Sequence, residues 1–367
     1  MSSPLYQICK RGDEKTLSVM MLSSATIDIN HGRSIDGATP LFIAAGMGHT
    51  NIVKILLSHT NIDVNKTRSS DQASPLFMSC SQGHEKIVEN LLKHSGCRGV
   101  NDVRVSDGAS PLWVAAYKGH AGIVKLLLAR DDVDVNLQRA DGTTALFMAC
   151  CVKGDDDSDT ISMLLEHPSI DVNIADSHNA TPLWVACQKG NVVAVDLLLK
   201  NNALEINKAK RDVKVKQKKI TRNKVMTKSF RVLDVTLPKR RSFFTTSDIS
   251  NLGMEVTEVE ESEEVNSEES SEESSEENNE ENVLGEQEQQ HEASTPLWIA
   301  VQNKHTEIVK LLVEGNWARY VDVHAEYQGW SPVGIAHQSR DKEIIALLAN
   351  AGALESAPSS QSKCMLM

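Results

Sequence analysis

The residue best placed for chemistry in this chain is Cys364. The last four residues, Cys364-Met365-Leu366-Met367, put a cysteine four from the end, before apolar residues and a terminal methionine. That is the form of a C-a-a-X prenylation box, in which Met favours farnesyl. The preceding stretch Ser356-Ala357-Pro358-Ser359-Ser360-Gln361-Ser362 reads as a flexible tail that leaves the thiol accessible. Lys363 is the only nearby base, and one lipid anchors weakly without a second signal. The other cysteines, at 9, 80, 97, 150, 151 and 187, form no C-x-x-C pair, so neither a zinc ribbon nor a disulfide framework is expected. Asp155-Asp156-Asp157-Ser158-Asp159 is acidic enough to suggest calcium, but it lacks the glycine and distal Glu of an EF-hand loop. No Walker-type phosphate loop, GxSxG, HExxH or kinase signature occurs. The expectation is no enzyme, no cofactor, no metal and no small-molecule substrate.

Composition narrows the class. The chain has 367 residues, with 38 Lys plus Arg against 50 Asp plus Glu, a net charge of −12. Aromatics make up only 4% of it, so a core must be built from Leu, Ile, Val and Ala. The longest apolar runs are a few residues, far short of the roughly 20 needed to span a membrane. Met1-Ser2-Ser3-Pro4-Leu5 reaches Lys10 and Arg11 without the apolar stretch of a secretory signal. A cytoplasmic protein is expected, membrane-associated if Cys364 is lipidated.

Periodicity governs the architecture. Ala38-Thr39-Pro40-Leu41-Phe42-Ile43-Ala44-Ala45 recurs as Ala73-Ser74-Pro75-Leu76-Phe77 and Ala109-Ser110-Pro111-Leu112-Trp113. It returns around Ala145-Leu146-Phe147, Pro182-Leu183-Trp184 and Pro296-Leu297-Trp298, with partial copies at Pro4 and Pro332. Anchors at 4, 40, 75, 111, 145 and 182 lie 34 to 37 residues apart; the gap from 182 to 296 is 114. Proline suits the first turn of a helix, and the preceding Ser or Thr can cap it. Glycines at 48, 83, 119, 154 and 190 end that helix. A second helix follows, with pairs such as Ile52-Val53 and Leu56-Leu57, then a β-like phrase such as Val133-Asp134-Val135-Asn136 and an Asp-Gly turn. Histidines 49, 84, 120 and 305 share one phase after the first helix and read as turn residues; Cys80, Cys150 and Cys187 fall at its alanine positions and read as buried thiols. One such unit cannot bury its own apolar faces, so the units must stack.

These residues resemble the ankyrin repeat, with its T-P-L-H-x-A signature, over about 280 residues and eight copies. The resemblance implies an all-α-type repeat solenoid of helix-turn-helix units with β-hairpin fingers, the fingers and first helices lining a concave face. The family's His is replaced here by Phe42, Phe77, Trp113, Phe147, Trp184 and Trp298. These could grip a ligand or form an inter-repeat packing column, and their place inside the first helix favours packing. The expected organisation is residues 1–207, a partial N-terminal cap plus five repeats; 208–292, a disordered charged insert; 293–354, two more repeats; and 355–367, a flexible tail.

The insert is split by charge. Lys208 to Arg241 holds 14 Lys or Arg against two Asp, whereas Ser242 to Glu292 holds 18 Asp or Glu and no Lys or Arg. Such an acidic run cannot bury enough apolar surface to order itself. Lys239-Arg240-Arg241 could be a nuclear localisation cluster, which makes a nuclear regulator one alternative; nucleic acid is not an expected ligand. The leading expectation is a non-catalytic scaffold or adaptor for a protein partner, with a membrane-tethered adaptor as the other alternative. The resemblance places the partner-facing positions just before the inner-helix glycine: Met47, Gln82, Tyr117, Lys118, Lys153, Gln188, Lys189, Gln302 and Asn303. Their lysines and amides suggest a polar or acidic partner segment, and Tyr117, near the middle of the array, is the expected hot spot.

Overall fold

The computed structural model describes residues 3–23, 27–152, 158–208, 210–211 and 293–353. Within them the chain forms eight helix pairs. The inner helices are α1 (Pro4–Arg11), α3 (Pro40–Met47), α5 (Pro75–Gln82), α7 (Pro111–Lys118), α9 (Ala145–Cys151), α11 (Pro182–Lys189), α13 (Pro296–Gln302) and α15 (Pro332–Ser339). The outer helices are α2 (Glu14–Ser23), α4 (Thr50–Leu57), α6 (Glu85–Lys93), α8 (Ala121–Leu128), α10 (Ser158–Leu165), α12 (Val192–Leu199), α14 (Thr306–Glu314) and α16 (Lys342–Asn350). Inner helices pack on inner helices and outer on outer, giving two layers.

Local chemistry fixes each inner helix. The hydroxyl before the proline accepts the N–H three residues on, as Thr39 does from Phe42 at 3.0 Å and Thr181 from Trp184 at 3.2 Å. Repeat five lacks the proline, yet Thr144 still caps Phe147 at 3.2 Å. At the other end Gly83 adopts φ 78°, and the imidazole of His120 from the next repeat lies 2.8 Å from where a Cβ would stand. Glycine is required there by conformation and by space together. The histidines of that phase also tie repeats: Nε2 of His84 lies 3.2 Å from the Gly46 carbonyl, and that of His305 3.3 Å from Gln188 O.

Leucines such as Leu41, Leu112 and Leu146 from the inner layer belong to one core with Ile52, Ile123 and Leu127 from the outer one, all fully buried. Thr160 occupies the position of Ile52 and Ile123 in α10. Its side chain is fully buried and its hydroxyl has no partner among the described residues.

The fingers close as hairpins, with Arg33 N–H bonded to Ala38 O and Arg104 N–H to Ala109 O, both at 2.9 Å. The phrase that looks β-like in sequence forms tight turns instead. Asp63 and Asp134 each accept the N–H two residues on, so the phrase folds back on its own carboxylate. Among the described residues, strand pairing beyond an isolated antiparallel bridge at Tyr327 and Trp330 occurs only between β1 (Lys210–Arg211) and β2 (Ala293–Ser294), antiparallel, at the base of the inserted stretch. The array continues across that point: α11 packs on α13 and α12 on α14. The Trp184 indole N–H donates to Ser294 O at 3.0 Å, and Asn303 Nδ2 to Gln188 O at 3.1 Å.

Candidate functional site

The six aromatic residues at the family's His position are all nearly buried, which makes them a packing column. Their indoles serve the next finger: Trp113 Nε1 donates to Thr143 Oγ1 at 3.0 Å and Trp298 Nε1 to Trp330 O at 2.9 Å. Sequence reasoning missed what covers them. Arg33 lies over Tyr6, Arg68 over Phe42, Arg104 over Phe77 and Arg139 over Trp113, with guanidinium carbons 4.9–5.5 Å from the ring centres. The first three are held by the aspartate three residues on, Arg139 by Asp141 and Asp107. Burial opposes ionisation of Asp36, Asp71 and Asp107. The arginine bonds and the N–H groups of Ala38, Ala73 and Ala109 outweigh it, leaving these carboxyls below their ordinary range. The signal was an arginine at 33, 68, 104 and 139, the same phase in four consecutive repeats.

A second ladder was also missed. Asn30, Asn65, Asn101, Asn136 and Asn173 each grip the backbone of the next repeat with both ends of the amide. Asn136 Nδ2 donates to Ser169 O at 2.6 Å, and its Oδ1 accepts Asp171 N–H at 2.9 Å. The other four make the same pair of bonds one repeat on. Asn207 repeats the grip on Tyr320 O and Asp322 N–H, reaching past the whole insert.

The positions expected to face a partner fall at the ends of α3, α5, α7, α11 and α13. Gln82, Lys118, Gln302 and Asn303 are exposed; Met47, Tyr117, Gln188 and Lys189 are half-buried. Lys153 and Gly154 lie outside the described residues, as do Lys239, Arg240, Arg241 and Cys364. Tyr117 is the best organised. Its ring stacks on Trp113 with centroids 5.3 Å apart and 26° between planes, and Lys118 Nζ lies 5.5 Å from its centre. With Arg139 over Trp113, a finger and the end of an inner helix share one stack, so they line one face. Met78, earlier on α5, is half-buried, its Cγ 2.8 Å from where a Cβ on Gly46 would be.

Nucleophilic chemistry finds no support in the cysteines that face this core. Burial pushes the Cys9 and Cys151 thiols up to about 12, and those of Cys80, Cys150 and Cys187 also upward. A protonated buried thiol is a poor nucleophile. Among the described residues no group of three or more His, Cys, Asp or Glu could hold a metal ion, and no helix is long and apolar enough to cross a membrane.

Stacked helix pairs, capped inner helices and side-by-side fingers define a repeat solenoid. The family model for ankyrin repeats matches residues 2–68, 61–139, 112–211 and 275–357, and the chain belongs to that family. The ankyrin repeat protein EF0377 is similar, at 28% identity over 54% of this chain and 97% of that one, with a TM-score of 0.50. An ankyrin repeat domain from Acinetobacter baumannii AYE matches at 27% identity over 53% and 96%, TM-score 0.48. The human ASB11 ankyrin repeat domain matches at 27% identity over 54% and 83%, TM-score 0.45. No curated protein matches the chain. Ankyrin repeats generally mediate protein–protein interaction and are typically non-catalytic modules.

Proposed function

We propose that this protein is a non-catalytic adaptor that holds a protein partner on the face lined by the fingers and the last turns of the inner helices. The observation that carries this reading is the Arg139–Trp113–Tyr117–Lys118 stack at mid-array. It presents a tyrosine already fixed by its neighbours, so little side-chain freedom is lost on binding. Gln82 on the preceding repeat, and Gln188 and Lys189 two repeats further on, supply donors and acceptors for a polar rim.

The test compares affinity capture by the full chain with capture by a Tyr117→Ala, Gln188→Ala variant of unchanged thermal melt. Loss of at least tenfold of one or more co-purifying proteins supports the reading. Identical partner sets overturn it.

A further inference from the structure

The two ends of the array are built differently. At the last repeat, the bulk that earlier repeats present to a successor is removed. Gly334 stands at the aromatic position, with Trp330 against it, and His337 is exposed where Ala45, Cys80 and Ala116 are buried. Ala349 replaces the half-buried Leu57, Leu128 and Leu199 of earlier outer helices. A terminal repeat needs such trimming, because its outer face meets water.

The first repeat is not trimmed. In α2, Leu17, Met20 and Met21 lie on the side packed into the core, and Lys15, Val19 and Leu22 on the opposite side. Val19 is 65% exposed and Leu22 89%. A helix apolar on two opposite sides is one built to be covered on both. Val19 holds the position of Ile55, Leu126, Leu311 and Leu347, all half-buried. Leu347 is covered although no described repeat follows it, so this position faces the preceding repeat, and none of the described repeats precedes α2. Ile8 faces the same way. Its position holds Ala44, Ala115, Ala186 and Ala336 in later repeats, each fully buried, whereas Ile8 is half-buried. The larger side chain fills the space that a further repeat stacked in the same register would need.

We infer that this end of the array pairs with the same end of a second copy of the chain, the two α2 helices lying antiparallel across a two-fold axis. Val19 of each copy meets Leu22 of the other, with Ile8 beside the seam. The surrounding charges favour a like partner. Arg11 and Lys15 stand against Asp13 and Glu14, all exposed, so the face is neutral and two copies of it do not repel. The last turn of α2 carries no basic residue, and the antiparallel arrangement brings Lys15 of the other copy toward that negative helix end. Head-to-tail stacking is opposed at both ends, by Ile8 and by the trimmed last repeat, whereas a two-fold pair closes on itself. One helix pair from each copy buries roughly 300–400 Å² a side against about 800 Å² in a standard interface, so the dimer is a weak one.

Sedimentation equilibrium of the full chain, from about 1 to 500 µM, tests the pairing. A monomer–dimer equilibrium is expected, with a dissociation constant on the order of 100 µM. Val19→Ser, Leu22→Ser alters only exposed positions and should weaken it at least tenfold at an unchanged thermal melt. Leu22→Lys, which adds a cation from each copy to the seam, should do so alone, and Ala349→Lys at the far end should leave the dimer intact. A chain that stays monomeric throughout the range overturns the inference. So does a dimer indifferent to the α2 variants, and so does growth beyond dimers that Ala349→Lys abolishes, the mark of head-to-tail stacking. None of these outcomes bears on the face around Tyr117.

Discussion

Thr160 is a single hydroxyl in the wrong solvent. It sits where other repeats place isoleucine, fully buried and without a hydrogen-bond partner among the described residues. An unsatisfied buried hydroxyl costs about 1–3 kcal/mol, whereas valine fills similar volume with no polar atom. Thr160→Val is therefore expected to raise the urea midpoint by the equivalent of about 1 kcal/mol; a lowered midpoint would show that the hydroxyl is satisfied. Asn136 argues the opposite case, because its amide makes two bonds to the next repeat. Asn136→Ala removes both bonds, and because the freed Ser169 carbonyl and Asp171 N–H are solvent-exposed each loss is about 0.5–1.5 kcal/mol. A loss of about 1–3 kcal/mol in equilibrium unfolding is the expected result. The arginine–aromatic contacts are individually smaller, near 0.5–1 kcal/mol where solvent reaches them.

At the scale of elements, the finger is the unit that can change without disturbing the stack. Residues 212–292 leave and re-enter the array at β1 and β2, which lie paired with Lys210 opposite Ser294. The contacts that join the flanking repeats bypass the insert: Trp184 to Ser294, Asn207 to Asp322 and His305 to Gln188. Replacing 212–292 by a short turn should leave the thermal midpoint within a few degrees of the full chain. A drop of ten degrees or more would mean that the insert supports the array. The inner-helix caps are far less tolerant. Gly83→Ala would place a side chain at φ 78° and against the His120 ring. Its expected cost is at least about 1 kcal/mol, read from the same unfolding curves.

The whole molecule should respond to acid through the finger carboxylates. Asp36, Asp71 and Asp107 have folded pKa values below the ordinary one, so the unfolded chain binds more protons than the folded one through that interval. Their contribution is fully present above an unfolded value of about 3.9 and is lost as pH falls through the folded value. Urea midpoints should be insensitive to these groups near neutrality and fall once the pH drops below about 4. A variant with Asp36→Asn, Asp71→Asn and Asp107→Asn starts less stable and falls less steeply; an unchanged slope would remove these pairs from the account.

The repeat, its period and its caps were legible in the chain because proline, a capping hydroxyl and glycine act within a few residues of one another. The burial of Phe42, Trp113 and their equivalents could be expected from their place in the inner helix. The asparagine and arginine ladders have a visible period too, but a period alone does not say what a side chain touches 30 or more residues away. Asn136 meets Ser169, and Arg139 covers Trp113, only once repeats are stacked in register. The same holds for the surface. Ile35, Met78 and Val105 look like ordinary apolar residues in sequence, and only packing leaves them at the solvent boundary. Sequence thus determined the local units and their stacking, since those depend on short-range backbone chemistry and on apolar faces that must be buried. Tertiary structure decided which side chains bridge repeats and which stay exposed, because both depend on distances set by neighbouring repeats.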